Sequence, residues 1–498
     1  MKKIKLINVV LFAVQMALSI VFSLYILKLN VLPDSTNVLC IVFLALALIL
    51  SALMLIGNTK PRQILCAFIA SLLCIIMVFP IRIMKHTHHT LSNLQGESQV
   101  YHTGYEILVR KDDSAQILSD ISKYKFGIDT SYDRESAHEA LKSISRKLGD
   151  MALFYEEYSS SAALWSALVE TEVVDVVLIE SNFYEMFKES YASQSDNIEN
   201  YVKKIENITV AIEVEKPEED SKDELQEDDT PKEPPKPLNE RPFVVYVSGI
   251  DTAGKITTRS RSDVNILIVI NPTTKKMVLA TVPRDTYVPF PGVTNGEYDK
   301  LTHAGIYGNN CSVSIATLEQ YIYTGVNIDR WIRVNFTSVE RIVDALGGIT
   351  VESQYNFSQH GHSFVKGKNY LNGEEALAFS RNRKSFAQGD MQRGRNQLEV
   401  IKGIFAKAIS PAILSGYSDI LNEITDCVQT NLSYEDITGL VKMQLSDGAS
   451  WDIETASIYV EYKNDYCYSL GSANCVGVMS EKSRLEVLEK INNVLNSK

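Results

Sequence analysis

Three stretches without a single charged residue lie close together near the N-terminus: Leu6 to Leu27, Val38 to Gly57 and Ile64 to Ile81. Each approaches the ~20 apolar residues a helix needs to cross a bilayer. No other feature limits the fold as strongly, because the first 85 residues then have a lipid solvent and must be helical. A cleavable leader is the alternative for the first stretch, but two further spans follow it. Lys2, Lys3 and Lys5 precede span one, and Lys60 and Arg62 separate spans two and three. The loop between spans one and two carries only Lys28, balanced by Asp34. This bias puts the N-terminus in the cytoplasm and everything after about Lys85 outside, although Arg82 and Lys85 are basic on the outer side.

The rest of the 498 residues divides by composition. Residues 213–241 hold twelve acidic and five basic side chains, and five of the chain's fourteen prolines. Such a tract cannot bury a core and is expected to be an extended, self-repelling linker. It separates an accessory region, 97–212, from a larger one, 242–498. In the accessory region, Tyr105 to Val109, Tyr124 to Ile128 and Val173 to Ile179 read as strands, and Arg134 to Leu148 and Ser160 to Glu170 as helices. That order predicts a small α/β domain with a parallel or mixed sheet, acting as a spacer or docking domain. The net charge of −12 argues against a nucleic-acid partner. Of seven cysteines, Cys40, Cys66 and Cys74 fall in the spans, and Cys467 and Cys475 flank a short loop that a disulfide could close.

The chemistry-bearing residues concentrate after Pro242. An apolar run, Val264 to Ile270, is followed by the turn signal Asn271-Pro272-Thr273-Thr274-Lys275-Lys276 and a second run, Met277 to Val282. As a hairpin, Ile270 pairs with Met277, and the same register sets Asp263 opposite Arg284. Asp251 ends a further strand-like run, Phe243 to Ile250, and is expected to join them. One sheet edge then holds carboxylates and arginines, a suitable place for phosphate and metal. Later, Arg381-Asn382-Arg383 in extended chain would point two guanidiniums at one anion, or else form a solvated basic segment. Asp390 is placed as the N-cap of a helix running to about Ile409, with Arg393 and Gln397 on one face and Leu398, Ile401 and Phe405 on the core face. Thr337 to Leu346 reads as a helix stopped by Gly347-Gly348. His360-Gly361-His362 has metal-pair spacing but the context of an exposed turn.

These segments together resemble the LytR-CpsA-Psr family of bacterial envelope proteins. The resemblance is carried by Gly249-Ile250-Asp251, Arg261-Ser262-Asp263, Pro283-Arg284-Asp285, Asp299-Lys300-Leu301-Thr302-His303-Ala304, Val343 to Ile349, Arg381-Asn382-Arg383 and Gly389 to Gln397. The three-span anchor and the domain before the linker look like the CpsA branch. The resemblance implies an α-β-α sandwich around a mixed sheet. It implies a cell-envelope phosphotransferase that attaches a polyprenyl-pyrophosphate-linked glycan (capsule, teichoic acid or similar) to peptidoglycan at the outer face of a Gram-positive membrane, with Mg²⁺ or Mn²⁺. By motif position, Asp263, Arg284, Arg381 and Arg383 would be catalytic. Arg261, Lys300, Asp390, Arg393 and Gln397 would bind substrate, and Asp251 and Asp263 would hold the metal. The alternative is a lipid-binding scaffold or regulator that docks polysaccharide-assembly proteins without chemistry. At Tyr307-Gly308-Asn309 the chain departs from the paired glycines the family pattern calls for.

Overall fold

The computed structural model describes residues 2–29, 33–57, 59–94, 98–215, 236–250, 252, 256–308, 310–386, 389–410, 420 and 427–498. Three helices, Lys2–Leu29, Asp34–Ile56 and Lys60–Leu94, open the chain. All three contain a segment long and apolar enough to cross a membrane, and few residues of those segments are buried inside the protein. The third helix runs well past the apolar stretch that predicts it.

The accessory region forms a five-stranded mixed sheet in the order Phe154–Tyr158, Lys125–Asp129, Val176–Glu180, Ser98–Arg110, Val202–Glu215. The first three strands are parallel and the last two are added antiparallel. Val176–Glu180 is buried at every position, as an interior strand covered on both faces requires. Glu213, Val214 and Glu215 belong to the final strand rather than to a linker, because they pair with Val100, Gln99 and Ser98. At the other end, Leu238–Glu240 is a short 3₁₀ helix with Leu238 buried. The intervening 216–235 lie outside the described residues.

The larger region is built on a six-stranded mixed sheet. Its order is Val428–Thr430, Arg330–Val334, Phe243–Ile250, Ser262–Asn271, Lys276–Val282, Asp452–Ser457. The hairpin register is as expected, with Ile270 opposite Met277. Alternation along the central strands sends side chains to two cores. Val247, Ile266, Met277 and Leu279 pack on Leu398, with Ile401 and Phe405 beside it, from helix Asp390–Ala408. On the opposite face Leu267, Val269, Val278 and Ala280 share a core with Val487, Leu488 and Ile491 of helix Glu481–Leu495. The domain is therefore an α-β-α sandwich.

The two regions are not separate bodies. The second core continues into Trp165, Phe183 and Phe187 of the accessory region. Tyr307 sits at the join, with its ring 5.2 Å from Tyr132 and 5.8 Å from Phe183, and its hydroxyl 2.7 Å from Ser469 Oγ. The departure from the family pattern at 307–309 thus falls where the accessory region docks; Asn309 itself lies outside the described residues. Cys467 and Cys475 are both free thiols. They lie on the paired strands Val460–Cys467 and Ser472–Met479, where Cys467 faces Ser472 and Cys475 faces Asn464. That three-residue offset turns the thiols to opposite faces, one buried and one exposed, so no disulfide forms.

Candidate functional site

Asp263 owes its placement to a β-bulge. Gly249 pairs with Val264 and Ile250 with Ser262, which leaves Asp263 as the extra residue. Bulges of this kind re-aim a side chain and are common beside active sites. Beneath it lies a buried polar seat, in which the Tyr246 hydroxyl donates to Asn265 Oδ1 at 2.6 Å and Ser248 Oγ lies 2.7 Å from Ser262 Oγ.

Two neighbours lock the carboxylate. Arg284 Nη1 donates to Asp263 Oδ2 at 2.8 Å, and Thr302 Oγ1 donates to Oδ1 at 2.8 Å. The Thr302 amide also donates to the Arg284 carbonyl at 2.8 Å, so acid, base and hydroxyl form one closed unit. Thr302 reaches this position because the turn Leu301–Gly305 presses on the bulge: a Cβ at Gly305 would lie 2.5 Å from the Ser262 nitrogen. Burial pushes the Asp263 carboxyl up, but Arg284, Arg261, Arg393 and the Thr302 hydroxyl outweigh it and leave it below the usual range.

Helix Asp390–Ala408 supplies the facing wall. Arg393 and Gln397, four apart on one face, line a cleft with Asp263, Asn265, Arg284 and Met391. Asn396 anchors the helix by donating to the Phe379 carbonyl at 3.1 Å. Asp390 is not the N-cap. Gly389 takes that place at φ 46°, a left-handed value that favours glycine, and Asp390 is the first helical residue. Its side chain lies outside the described set.

Four expected residues therefore meet in one cleft: Asp263, Arg284, Arg393 and Gln397. Others do not. Arg381 and Arg383 are not on one extended strand, because helix Gly373–Arg381 runs through the first of them. The Arg381 guanidinium stacks over the Phe336 ring at 4.0 Å, and Arg383 stands in the exposed turn beyond buried Asn382. Neither lines the cleft. Arg383 does lie against Gly389, at the foot of the helix that carries Arg393. Lys300 donates to Asn474 Oδ1 at 2.8 Å and stands 3.9 Å from Asp285 Oδ1. Arg261 is gripped from outside the domain, since both its Nη atoms donate to the Glu189 carboxylate, at 2.6 and 2.9 Å. Asp251 lies outside the described residues. His360-Gly361 forms the hairpin turn between Phe357–Gln359 and His362–Phe364.

Sequence reasoning missed two participants. Thr302 lies inside a motif that carries the resemblance, yet nothing local marks it as Asp263's partner. Glu189 is 72 residues from Arg261 and gives no signal at all.

The chain belongs to the LytR_cpsA_psr family, whose model matches residues 201–490. It is 38% identical over 201 residues to the polyisoprenyl-teichoic acid–peptidoglycan teichoic acid transferase TagU of Enterococcus faecalis, covering 40% of this chain and 64% of that one. Against the transferase of the same name from Bacillus licheniformis it is 37% identical over 199 residues, covering 40% of this chain and 63% of the other. The crystal structure of B. subtilis TagU overlays with a TM-score of 0.40 at 28% identity, covering 52% of this chain and 98% of that one. The chain thus spans slightly less than two thirds of the curated relatives it matches.

Proposed function

We propose that this protein is a membrane-anchored phosphotransferase of the outer envelope. It moves a phosphoglycan from a polyprenyl-pyrophosphate carrier to a hydroxyl of peptidoglycan. The observation that carries this reading is the Asp263–Arg284–Thr302 unit facing Arg393 and Gln397 across one cleft, in a chain of this family. The acceptor oxygen attacks the glycan-bearing phosphorus, the bridging P–O bond breaks, and polyprenyl phosphate leaves with the bridge oxygen, while the proton of the acceptor hydroxyl passes to that leaving phosphate. Charge accumulates on that leaving phosphate, and Arg284 and Arg393 are positioned to stabilise it. Arg383, from the segment expected to grip the pyrophosphate, lies against Gly389 at the foot of the facing helix.

Asp263 is better suited to holding charge than to taking a proton. A carboxylate held below its usual range is a weak base at neutral pH. It keeps Arg284 in place and offers hard oxygens. After the Arg284 and Thr302 bonds, an ionised carboxylate still has unused lone pairs. It therefore fits Mg²⁺ or Mn²⁺, which need few protein carboxylates when substrate phosphates supply the rest. Asp263, with Asp251, would hold the ion, and the bound ion would supply positive charge to the phosphate oxygens.

Two substitutions test the reading. Arg284→Ala is expected to lower transfer by about 10²–10³-fold, the usual effect of removing one donor to a developing anion. Asp263→Asn separates enzyme from scaffold: the enzyme loses transfer while purified protein keeps its lipid, because the arginines remain. Full attachment of polymer to the wall in cells carrying only Asp263→Asn would move the reading to the scaffold.

A further inference from the structure

Beside the phosphate cleft lies a second cavity, of about 160 Å³, that the two regions build jointly. Glu189 and Ser190 come from the accessory helix Ser181–Ser193; Lys300, His303 and Asn474 come from the larger domain. Met186 and Leu470 add apolar surface. Each polar group is held by a partner. Asn474 accepts from Lys300 at 2.8 Å and donates from Nδ2 to Ser190 Oγ at 3.2 Å, which joins the two regions across the cavity. Arg261 fixes Glu189. Asp299, fully buried, lies 2.7 Å from His303 Nδ1 and sets the ring. Lys300 and Arg284 both stand 3.9 Å from Asp285, so the cavity adjoins the cleft.

The lining selects a class of ligand. It offers a carboxylate that accepts, an ammonium and an amide that donate, and a hydroxyl that does both. A phosphate there would face Glu189, and an apolar chain would shut water away from Glu189 and Lys300 without meeting the hydrogen-bonding capacity that Arg261 and Asn474 leave spare. A neutral polyhydroxylated ring satisfies both signs and lays its C–H face on Met186 and Leu470. The space is close to the ~150 Å³ at which an engineered protein cavity accepts one six-membered ring, the scale of a single sugar.

We propose that this cavity is a monosaccharide subsite, created by the accessory region, for the sugar unit adjoining the transferred phosphate. The inference rests on the function proposed above. Two sources share this chemistry: the first sugar of the donor, or the sugar that bears the acceptor hydroxyl.

The test uses full-length protein in detergent, as wild type, Asn474→Ala and Ser190→Phe. Farnesyl diphosphate, farnesyl diphosphate bearing one N-acetylglucosamine, and methyl N-acetylglucosaminide are titrated separately. The glycoside is also titrated onto protein saturated with the bare diphosphate. For a donor subsite, the added sugar tightens wild-type binding about tenfold, the weight of one or two net hydrogen bonds, and Asn474→Ala loses that gain while binding bare diphosphate normally. For an acceptor subsite, the glycoside binds wild type and is weakened about tenfold by either variant. Absence of a gain on both arms, or equal gains in wild type and Asn474→Ala, overturns the subsite. Wild type that fails to bind bare diphosphate overturns the function proposed above, and the glycoside titration on free protein then decides the subsite by itself.

Discussion

Asp263 keeps its charge in a place where burial opposes it, and that tension has a measurable signature. Its folded pKa lies below its unfolded value, so its contribution to stability is complete above the unfolded pKa of about 3.9 and is lost as pH falls through the lower folded value. Thermal unfolding of wild type and Asp263→Asn should therefore differ most near pH 5–6, with the gap closing below about pH 4. A gap that stays constant through that acid range would mean the carboxylate is not held as an anion by its neighbours. Removing the partner acts differently. Arg284→Ala leaves a buried carboxylate short of its nearest cation, which typically costs about 3–5 kcal/mol when a buried pair is broken. Arg261 and Arg393 soften that loss. The double variant Asp263→Asn/Arg284→Ala should recover part of the lost melting temperature, and strict additivity would contradict a direct coupling.

At the scale of elements, what was readable depended on whether the signal was periodic and local. The hairpin was, since period-two alternation and a turn settle its register, and Asp263 did meet Arg284. The stop at Gly347-Gly348 was, because both residues adopt positive φ, 71° and 87°. Helix Gly373–Arg381 also announced itself, through a capping box in which Asn372 accepts from the Glu375 amide and Glu375 accepts from the Asn372 amide. Reading Arg381 and Arg383 as an extended pair overlooked that cap. The bulge at Asp263 and the grip of Glu189 on Arg261 depend on strand offsets and domain packing that no local pattern encodes. The turn Leu301–Gly305 joins both kinds, and Gly305 is its weak point. Gly305→Ala would set a methyl group 2.5 Å from the Ser262 nitrogen and 2.9 Å from its Cβ, where backbone must move. Overpacking of this sort costs about 1–3 kcal/mol, and here the shift would draw Thr302 away from Asp263. A lower melting temperature together with a loss of transfer is expected. Wild-type values for both would show that the turn has slack the contact distances do not suggest.

The whole molecule is a three-helix anchor carrying one fused block rather than beads on a tether. The accessory sheet and the six-stranded sheet share a core, and Arg259 of the larger domain forms a buried ion pair with Asp133 of the accessory one. The acidic tract is thus a bypass between two parts already in contact, and cutting it should leave them associated. The proposed function needs this block outside the cell, the side that the basic flanks of the spans favour. Lys442 Nζ of the larger domain lies 2.7 Å from Asp34 Oδ1, so the block sits at the face from which the second helix starts. If all three helices span, the start of the second and the end of the third emerge on the same face, so block and anchor are consistent. A reporter enzyme active only outside the cell should be silent when fused after Lys60 and active when fused after Lys85. Protease added to intact, wall-stripped cells should cut within 216–235, and the two halves should still co-purify in detergent because their shared core is unbroken. Protection of that tract, or an active reporter at Lys60, would put the block in the cytoplasm and overturn the function proposed above.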